Sequence, residues 1–113
     1  MANNFKSVGM LDVTASYTTL YAAGAGVTTV ILGLALCNKS ADAQDISLQW
    51  EDANSVSPAG QDFGLLEQVS IPGRTTLEVL AGQKYILNEN DILRIKAGTA
   101  DKIDATLGIM EIT

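Results

Sequence analysis

The sequence predicts an all-β protein, an antiparallel β-sandwich or jelly roll of about eight strands. Three observations favour this fold. Short apolar or alternating runs recur along the chain, turns rich in Gly, Pro, Asn and Asp separate them, and the runs lack a helical period. Because 113 residues with 47% apolar side chains can bury one core, we expect a single domain over residues 1–113 with a short N-terminal arm of about residues 1–8.

The stretch of residues 27–40, which contains the longest apolar run and ends in a polar turn, is predicted to be the central strand. Up to Cys37 it contains no charge and no proline and is rich in Val, Ile and Leu, which favours a strand buried on both faces. Alternation gives it a leucine face, expected in the core, and a small-residue face that a second sheet or a second subunit can approach closely. The two faces contain Leu32, Leu34 and Leu36, and Gly33, Ala35 and Cys37, respectively. We therefore expect a bulky charge on the small-residue face, such as Ala35→Lys, to disturb assembly or folding.

Two strands are expected before this run. Residues 5–14 form the first, and their alternation fails near Gly9, which indicates a bent strand, a bulge, or an arm that packs on a neighbouring subunit. Residues 17–21 form the second, because Tyr and Thr favour β structure, although residues 11–23 allow a helix as the competing interpretation. The Gly-Ala-Gly breaker at residues 24–26 favours the strand.

The second half of the chain alternates strands and turns. Residues 46–51 place Ile46, Leu48 and Trp50 inward and Ser47, Gln49 and Glu51 outward, and residues 52–62 follow as an exposed loop. Pro72-Gly73 predicts a type II turn with positive φ at the glycine, which joins residues 63–71 and 74–80 as a hairpin. The remaining predicted strands are residues 85–87, 92–97 and 103–112, separated by an acidic turn at 88–91 and a turn at 98–102.

The composition excludes several classes of function. Seven basic and thirteen acidic residues give a formal net charge of −6, and because the basic residues are scattered, we expect neither a nucleic-acid surface nor a membrane anchor. The chain contains no histidine, the commonest general base and a frequent metal ligand. Its one cysteine, Cys37, is expected to be a small buried thiol. The N-terminus lacks the pattern of a secretory signal and the longest apolar run is too short to span a bilayer, so we expect synthesis in a cytoplasm.

Two acidic pairs, Glu51 with Asp52 and Glu89 with Asp91, are the candidate catalytic carboxylates. Each pair lies at a strand end or a turn, where acidic side chains are common, so we interpret both as structural. The Asn-Glu-Asn-Asp turn at residues 88–91 also offers oxygens to Ca²⁺, but it lacks the spacing of a specific calcium loop. We predict no catalytic, cofactor or metal site, and hence a protein that is not an enzyme.

The chain has more apolar side chains than one small core requires, which predicts a homo-oligomer that buries the surplus and covers the sheet edges. The interface candidates are Phe5, Val8, Gly33, Ala35 and Trp50. Carbohydrate binding through exposed aromatic side chains is the alternative function. Its candidate platforms are Tyr17, Tyr21, Trp50, Phe63 and Tyr85.

Residues 19–113 carry a series of turn motifs. They are a Tyr before a Gly-rich turn (residues 21–26), an apolar strand that ends in an Asn-x-Ser turn (Asn38, Ser40), an Ile-Pro-Gly turn (residues 71–73), Leu-x-Gly (Leu80, Gly82), an Asn-Asp turn before an alternating strand (Asn90, residues 91–97), and a closing Glu-Ile (Glu111, Ile112). In these motifs the sequence resembles a family of small β-sandwich virion proteins of tailed bacteriophages, common among phages of marine and cyanobacterial hosts. It departs from the family at Ala25, where the first turn often has a proline.

The resemblance implies a non-enzymatic structural subunit of the phage virion, either a capsid decoration or cement protein or a subunit of the neck or tail. It implies copies of the same chain and other virion proteins as partners, and a location in the virion after synthesis in the host cytoplasm. No active-site residues carry over, because the family has none. Assembly is expected through the sheet edges and the N-terminal arm.

Overall fold

The computed structural model describes residues 2–53, 61–80 and 82–113, which form two antiparallel sheets around a shared apolar layer. The strands are β1 Asn3–Met10, β2 Thr18–Ala22, β3 Thr28–Asn38, β4 Gln44–Asp52, β5 Gln61–Ile71, β6 Thr76–Glu78, β7 Tyr85–Leu87, β8 Ile92–Ala97 and β9 Ile103–Ile112. The five-stranded sheet has the order β1-β9-β3-β6, with β7 also paired to β3, and the four-stranded sheet has the order β2-β8-β4-β5. The predicted all-β sandwich is thus confirmed. The described residues form no helix that is long and apolar enough to cross a membrane.

The strand pairs are nested along the chain, as in a jelly roll. β4 pairs with β5, β3 with β6 and β7, β2 with β8, and β1 with β9. The chain therefore forms one long antiparallel hairpin whose two arms fold over together into the two sheets. Because β6 and β7 share one side of β3, the nine strands fill eight positions.

Alternation in β8 and β9 defines the inner and outer sides of the two sheets. The buried residues of these strands are Leu93, Ile95 and Ala97, and Ile103, Ala105, Leu107 and Ile109. The residues between them point to the outer sides, because successive side chains of a strand face opposite ways. A turn precedes each of the two strands, and both strands coincide with the predicted ranges 92–97 and 103–112.

The predicted central strand has the expected position, and its predicted faces are confirmed from Gly33 to Cys37 and wrong before Gly33. β3 lies inside the five-stranded sheet, between β9 on one side and β6 and β7 on the other. Its pairing with β9 shifts register between Ile31 and Gly33, which leaves Leu32 as the extra residue of a β-bulge. The buried residues are therefore Ile31 before the bulge and Leu34 and Leu36 after it. Leu32, which the alternation placed in the core, is 38% exposed.

The opposite side of β3 is open to solvent. Cys37, predicted to be a buried thiol, is exposed, because it lies on the outer side of the sheet, where the described chain supplies no second layer. Gly33 and Ala35 share this side and are partly exposed. The prediction of a strand buried on both faces is therefore wrong for residues 2–53, 61–80 and 82–113 of a single chain, which cover one face only.

The chain changes sheets at residues 72–75, where the sequence predicted a hairpin. β5 belongs to the four-stranded sheet and β6 to the five-stranded sheet, so the hairpin is wrong. The positive φ expected at Gly73 falls on Arg74, at 57°. Gly73 is required for another reason: a Cβ at this position would lie 2.1 Å from the backbone oxygen of Ala41.

At the N-terminus, β1 pairs with β9 without a register shift from Asn3 to Met10. The bulge expected at Gly9 is therefore wrong, and residues 3–8 of the predicted arm form most of this edge strand. Its side chains are mainly exposed, and only Val8 and Met10 are partly buried against the core. β1 is therefore attached to the domain chiefly through its backbone ladder.

In β4, Ser47 lies on the outer side with its ladder partner Lys96, as the alternation predicted, but its side chain is buried there. The β4–β5 pairing shifts register beside it, and its hydroxyl accepts a hydrogen bond from the backbone N–H of Gln68 at 3.0 Å. Most of the predicted loop at residues 52–62 lies outside the described residues. Asp52 is the last residue of β4, and β5 already begins at Gln61.

Candidate interaction surface

The outer side of the five-stranded sheet is the candidate interaction surface, and we call it the outer face. Directly paired residues lie on the same side of a sheet, so the strand register assigns its members. They form an apolar row of Phe5, Met110, Val30 and Ile86, a glycine row of Ser7, Gly108 and Gly33, and a third row of Gly9, Thr106, Ala35 and Glu78. Two residues of a strand rise about 6.7 Å, so neighbouring rows are about that far apart.

The apolar row forms a ridge. Phe5 is 73% exposed and Ile86 is 59% exposed, and Leu32, displaced by the bulge, lies beside Phe5. Leu11, just after β1, extends the apolar surface next to Thr106. These are four of the five large hydrophobic side chains that are exposed within the described ranges. Such a concentration of exposed apolar side chains on one face is typical of an interaction surface.

The glycine row and the third row form a groove beside this ridge. The groove is open, has a volume of about 500 Å³ and is lined by Gly33, Gly108, Ala35 and Thr106 among others. A Cβ at Gly33 or Gly108 would meet no heavy atom of the described chain within 4 Å. Packing inside the chain therefore does not require these two glycines. Their effect is to leave the backbone bare, which allows another surface to approach closely.

An ion-pair cluster lies at the end of the outer face. Asp104, which pairs with Cys37 across the β9–β3 ladder, is 2.9 Å from the Lys39 ammonium, and Lys39 also contacts Asp12. The Asp12 and Asp104 carboxylates raise the pKa of Lys39. Partial burial opposes ionisation of Asp104, but the Asp12 N–H, at 2.9 Å, and the Lys39 ammonium lower its pKa. Lys39 is thus shared by the two aspartates, and the three-residue cluster keeps a net charge of −1.

The two sheets differ in the charge of their outer sides. The outer side of the four-stranded sheet carries Arg94, which binds Glu51 at 2.9 Å, and Lys96. The three rows of the outer face contain one charged residue, Glu78, which lies at the sheet edge on β6. This chain of net charge −6 therefore has one nearly neutral face.

The outer face includes three of the five residues predicted to lie at an interface. Phe5, Gly33 and Ala35 are members of it. Val8 lies on the inner side of β1, half-buried against the core. Trp50 lies on the inner side of the other sheet, opposite Leu93 in the β4–β8 ladder.

Sequence reasoning missed Leu32, Ile86, Gly108 and Met110. A signal for Gly108 and Met110 exists in residues 103–112, because they alternate with the buried residues of that run. No such signal exists for Leu32 in β3 itself, since a bulge is defined by the pairing with another strand.

The predicted carboxylate candidates serve the fold. The Glu51 carboxylate binds Arg94, and the Glu89 carboxylate accepts a hydrogen bond from the backbone N–H of Gly26 at 2.8 Å. Asp91 is fully buried and accepts three hydrogen bonds. The donors are the backbone N–H groups of Ala53 (2.8 Å) and Asn88 (2.9 Å) and the indole N–H of Trp50 (3.2 Å). Across the described ranges, no three His, Cys, Asp or Glu side chains group as metal ligands.

A hydrogen-bonded cluster joins β2 to the five-stranded sheet. The Tyr21 hydroxyl donates to Glu111 at 2.5 Å and lies 2.8 Å from the Thr29 hydroxyl, and Glu111 pairs with Lys6 at 2.6 Å. Burial, followed by the hydrogen bond to Glu111, raises the pKa of Tyr21 to about 12. Lys6, followed by Tyr21, lowers the pKa of Glu111. Tyr21 is therefore held between the sheets.

The other aromatic candidates for sugar binding are dispersed. Tyr17 lies under the Lys96 ammonium, 4.7 Å from the ring centroid, and Trp50 stacks on Phe63 with ring centroids 5.0 Å apart. Tyr85 and Trp50 line a cavity of about 60 Å³ whose other walls are aliphatic. A sugar needs hydrogen-bond partners beside an aromatic ring, and these walls supply hydrocarbon.

No protein-family model and no curated protein matches this sequence. Solved structures do share its fold. A chain of the Bacillus endospore appendages, a family of disulfide-linked pili, has a TM-score of 0.55 and 8% identity over 99% of this chain and 87% of its own. Two chains of infectious bursal disease virus, one from the T13 viral particle and one from the Gx strain, have TM-scores of 0.55 and 0.58 and identities of 9% and 8%. Each covers 96% of this chain, which spans about a third of the viral chains, at 30% and 32%.

Proposed function

We propose that the chain is a structural subunit of a tailed-phage virion, a capsid decoration or cement protein or a subunit of the neck or tail, and that it is not an enzyme. The motif resemblance in residues 19–113 supports the phage assignment. A fold shared with viral-particle chains and with a chain of bacterial pili supports a role in assembly. The carboxylates that were candidates for catalysis are engaged in structural contacts, which supports the non-enzymatic role.

The observation that carries the proposal is the outer face. Its ridge exposes large apolar side chains, and its groove contains glycines that the fold itself does not need. A freely soluble monomer gains nothing from such a surface, whereas a subunit of a particle covers it on assembly. The edge strand β1 borders this face and presents Phe5 on it.

Quantitative mass spectrometry of purified particles of the phage that encodes the chain tests the proposal. We expect the chain in many copies per particle, and its absence from particles would refute the virion role. Binding to a glycan array by the isolated protein, abolished by a Trp50→Ala change that leaves the fold intact, would instead favour the carbohydrate-binding alternative.

A pair of variants tests whether the outer face mediates incorporation. Phe5→Asp adds a charge to the ridge, and because the side chain is mainly exposed, the stability of the folded chain should change by no more than about 0.5 kcal/mol. Thr99→Asp adds the same charge at an exposed turn residue away from the outer face. We expect Phe5→Asp to be depleted from particles and Thr99→Asp to be incorporated normally. Equal incorporation of both would contradict the assignment of this face.

A further inference from the structure

We propose that a second copy of the chain occupies the outer face, packed back to back about a two-fold axis that runs across the strands along the glycine row. This inference deepens the proposed assembly function and rests on it. In the arrangement, the two five-stranded sheets meet through their outer faces, and the four-stranded sheets lie on the outside of the pair.

Charge favours a second copy as the occupant. Two chains that each carry −6 repel one another, and this repulsion is screened only beyond about 8 Å at physiological salt. Self-association therefore needs a contact surface without uncompensated charge at its centre. The outer face meets this requirement, because Glu78 lies at its edge and the cluster of Asp12, Lys39 and Asp104, with a net charge of −1, lies at its end. A basic partner, by contrast, would be expected to use an acidic surface.

The shape of the face is self-complementary. The ridge and the third row lie on opposite sides of the glycine row, each about 6.7 Å from it. A two-fold rotation about the glycine row therefore places the ridge of one copy over the third row of the other. Phe5 then faces Gly9, Val30 faces Ala35 and Met110 faces Thr106, so these large side chains meet smaller ones, while Ile86 faces Glu78 at the edge of the contact. Gly33 lies on the axis and faces its own counterpart.

The area of the face is sufficient for a specific dimer. Four strands about 4.8 Å apart and about nine residues that each rise about 3.3 Å give a face of about 570 Å² per copy, or about 1,100 Å² for the pair. Specific interfaces bury at least about 1,000 Å². The contact lies near this lower limit, so we expect a reversible dimer that forms at high local concentration, as in a particle.

Sedimentation equilibrium of the full chain and two matched variants tests the interface. Gly33→Arg places a bulky charge on the axis, and Gly64→Arg places the same side chain on β5, in the four-stranded sheet. At both glycines an added Cβ meets no heavy atom of the described chain within 4 Å, and neither has a positive φ, so both variants should fold. We expect Gly33→Arg to weaken dimerisation by about 30-fold or more, the effect of losing a hot spot. Gly64→Arg should leave the dissociation constant within about threefold of the unsubstituted chain.

Disulfide formation tests the position of the axis. In a Cys37→Ser background, Gly33→Cys places one thiol of each copy on the axis, where the two face each other, whereas Gly64→Cys places them far apart. We expect a covalent dimer to form readily under mild oxidation with Gly33→Cys, and at least about tenfold more slowly with Gly64→Cys, because the axis holds only the first pair within the Cα separation that a disulfide allows. Equal rates would refute the two-fold packing.

The inference and the proposed function fail in different ways. A chain that stays monomeric at its highest soluble concentration, or a Gly33→Arg variant that dimerises as well as Gly64→Arg, overturns the back-to-back dimer even if the chain is abundant in particles. A chain that dimerises through Gly33 but is absent from particles retains the dimer and overturns the virion role.

Discussion

Deletion of Leu32 tests the bulge that sets the two faces of β3. In the β3–β9 ladder, Ile31 pairs with Ile109 and Gly33 pairs with Gly108, so the two partners are consecutive in β9 while one extra residue separates the pair in β3. Removing Leu32 makes the ladder regular. Ile31 and Leu34 stay in the core after the deletion, because Gly33 alone then separates them and they keep the same side of the strand.

The magnitude follows from the burial of the side chain. Leu32 is 38% exposed, so a little under two thirds of it is removed from water in the folded chain. Full burial of a leucine contributes about 2 kcal/mol, so the deletion should cost about 1 kcal/mol, partly offset by the regular ladder. Deletion of Leu34 is the matched control. The ladder can become regular here too, with Leu32 opposite Gly108 and Gly33 opposite Leu107, so Leu36 and Asn38 keep their buried positions but a glycine replaces the core leucine.

Urea unfolding followed by far-ultraviolet circular dichroism measures the difference between the two deletions. The Leu34 deletion leaves a core position without its leucine side chain, for a loss of about 4 kcal/mol. We therefore expect the Leu34 deletion to be less stable than the Leu32 deletion by about 3 kcal/mol. If the Leu32 deletion unfolded the chain, or if both deletions were tolerated equally, the bulge would not determine the faces.

Four further changes test other parts of the structure. Asp91→Ala should lower the free energy of unfolding by about 3 kcal/mol in urea titrations, because three N–H groups lose their acceptor, and a loss below about 1 kcal/mol would contradict this. Gly73→Ala should cost about 2 kcal/mol in thermal unfolding, since its Cβ would lie 2.1 Å from the oxygen of Ala41, and an unchanged midpoint would show that the turn can shift freely. Stability should fall as pH rises from about 10 to about 12, because the folded chain holds the Tyr21 proton more tightly than the unfolded chain does. Tyr21→Phe should remove that part of the slope. Deletion of residues 1–8 should leave the sandwich folded by circular dichroism and weaken its docking, whereas unfolding would show that β1 is a core strand.

Alternation correctly predicted the strands that contain no extra residue of their own. β8 and β9 have the predicted bounds, because each alternates without interruption and begins after a run of turn residues. β3 was placed correctly inside a sheet, but its faces were wrong up to the bulge, because register is a property of two strands. The sequence of residues 27–40 alone does not specify where the register of the pairing with β9 shifts.

Turn motifs predicted where the chain reverses and failed to predict which sheet the next strand joins. Pro72-Gly73 marks a real turn, yet Thr76–Glu78 pairs with β3 instead of returning along β5. The competition between these two partners depends on long-range packing, which a local signal does not contain. For the same reason, alternation identified Gly33 and Ala35 as a small-residue face, but the ridge beside it, formed by Phe5, Leu32 and Ile86, required the strand order.

The apolar content of β3 now has a specific interpretation. Two arrangements would make a strand apolar on both faces. In the first, a single chain buries both faces. In the second, the chain buries one face and an identical copy buries the other. The exposure of Leu32, Cys37 and Ile86 rules out the first case for the single chain. The bulge allows β3 to supply apolar side chains to both the core and the outer face. It moves Leu32 out to the ridge while Ile31 and Leu34 stay in the core. In the proposed dimer, the surplus apolar side chains of this small acidic chain are therefore part of its interface.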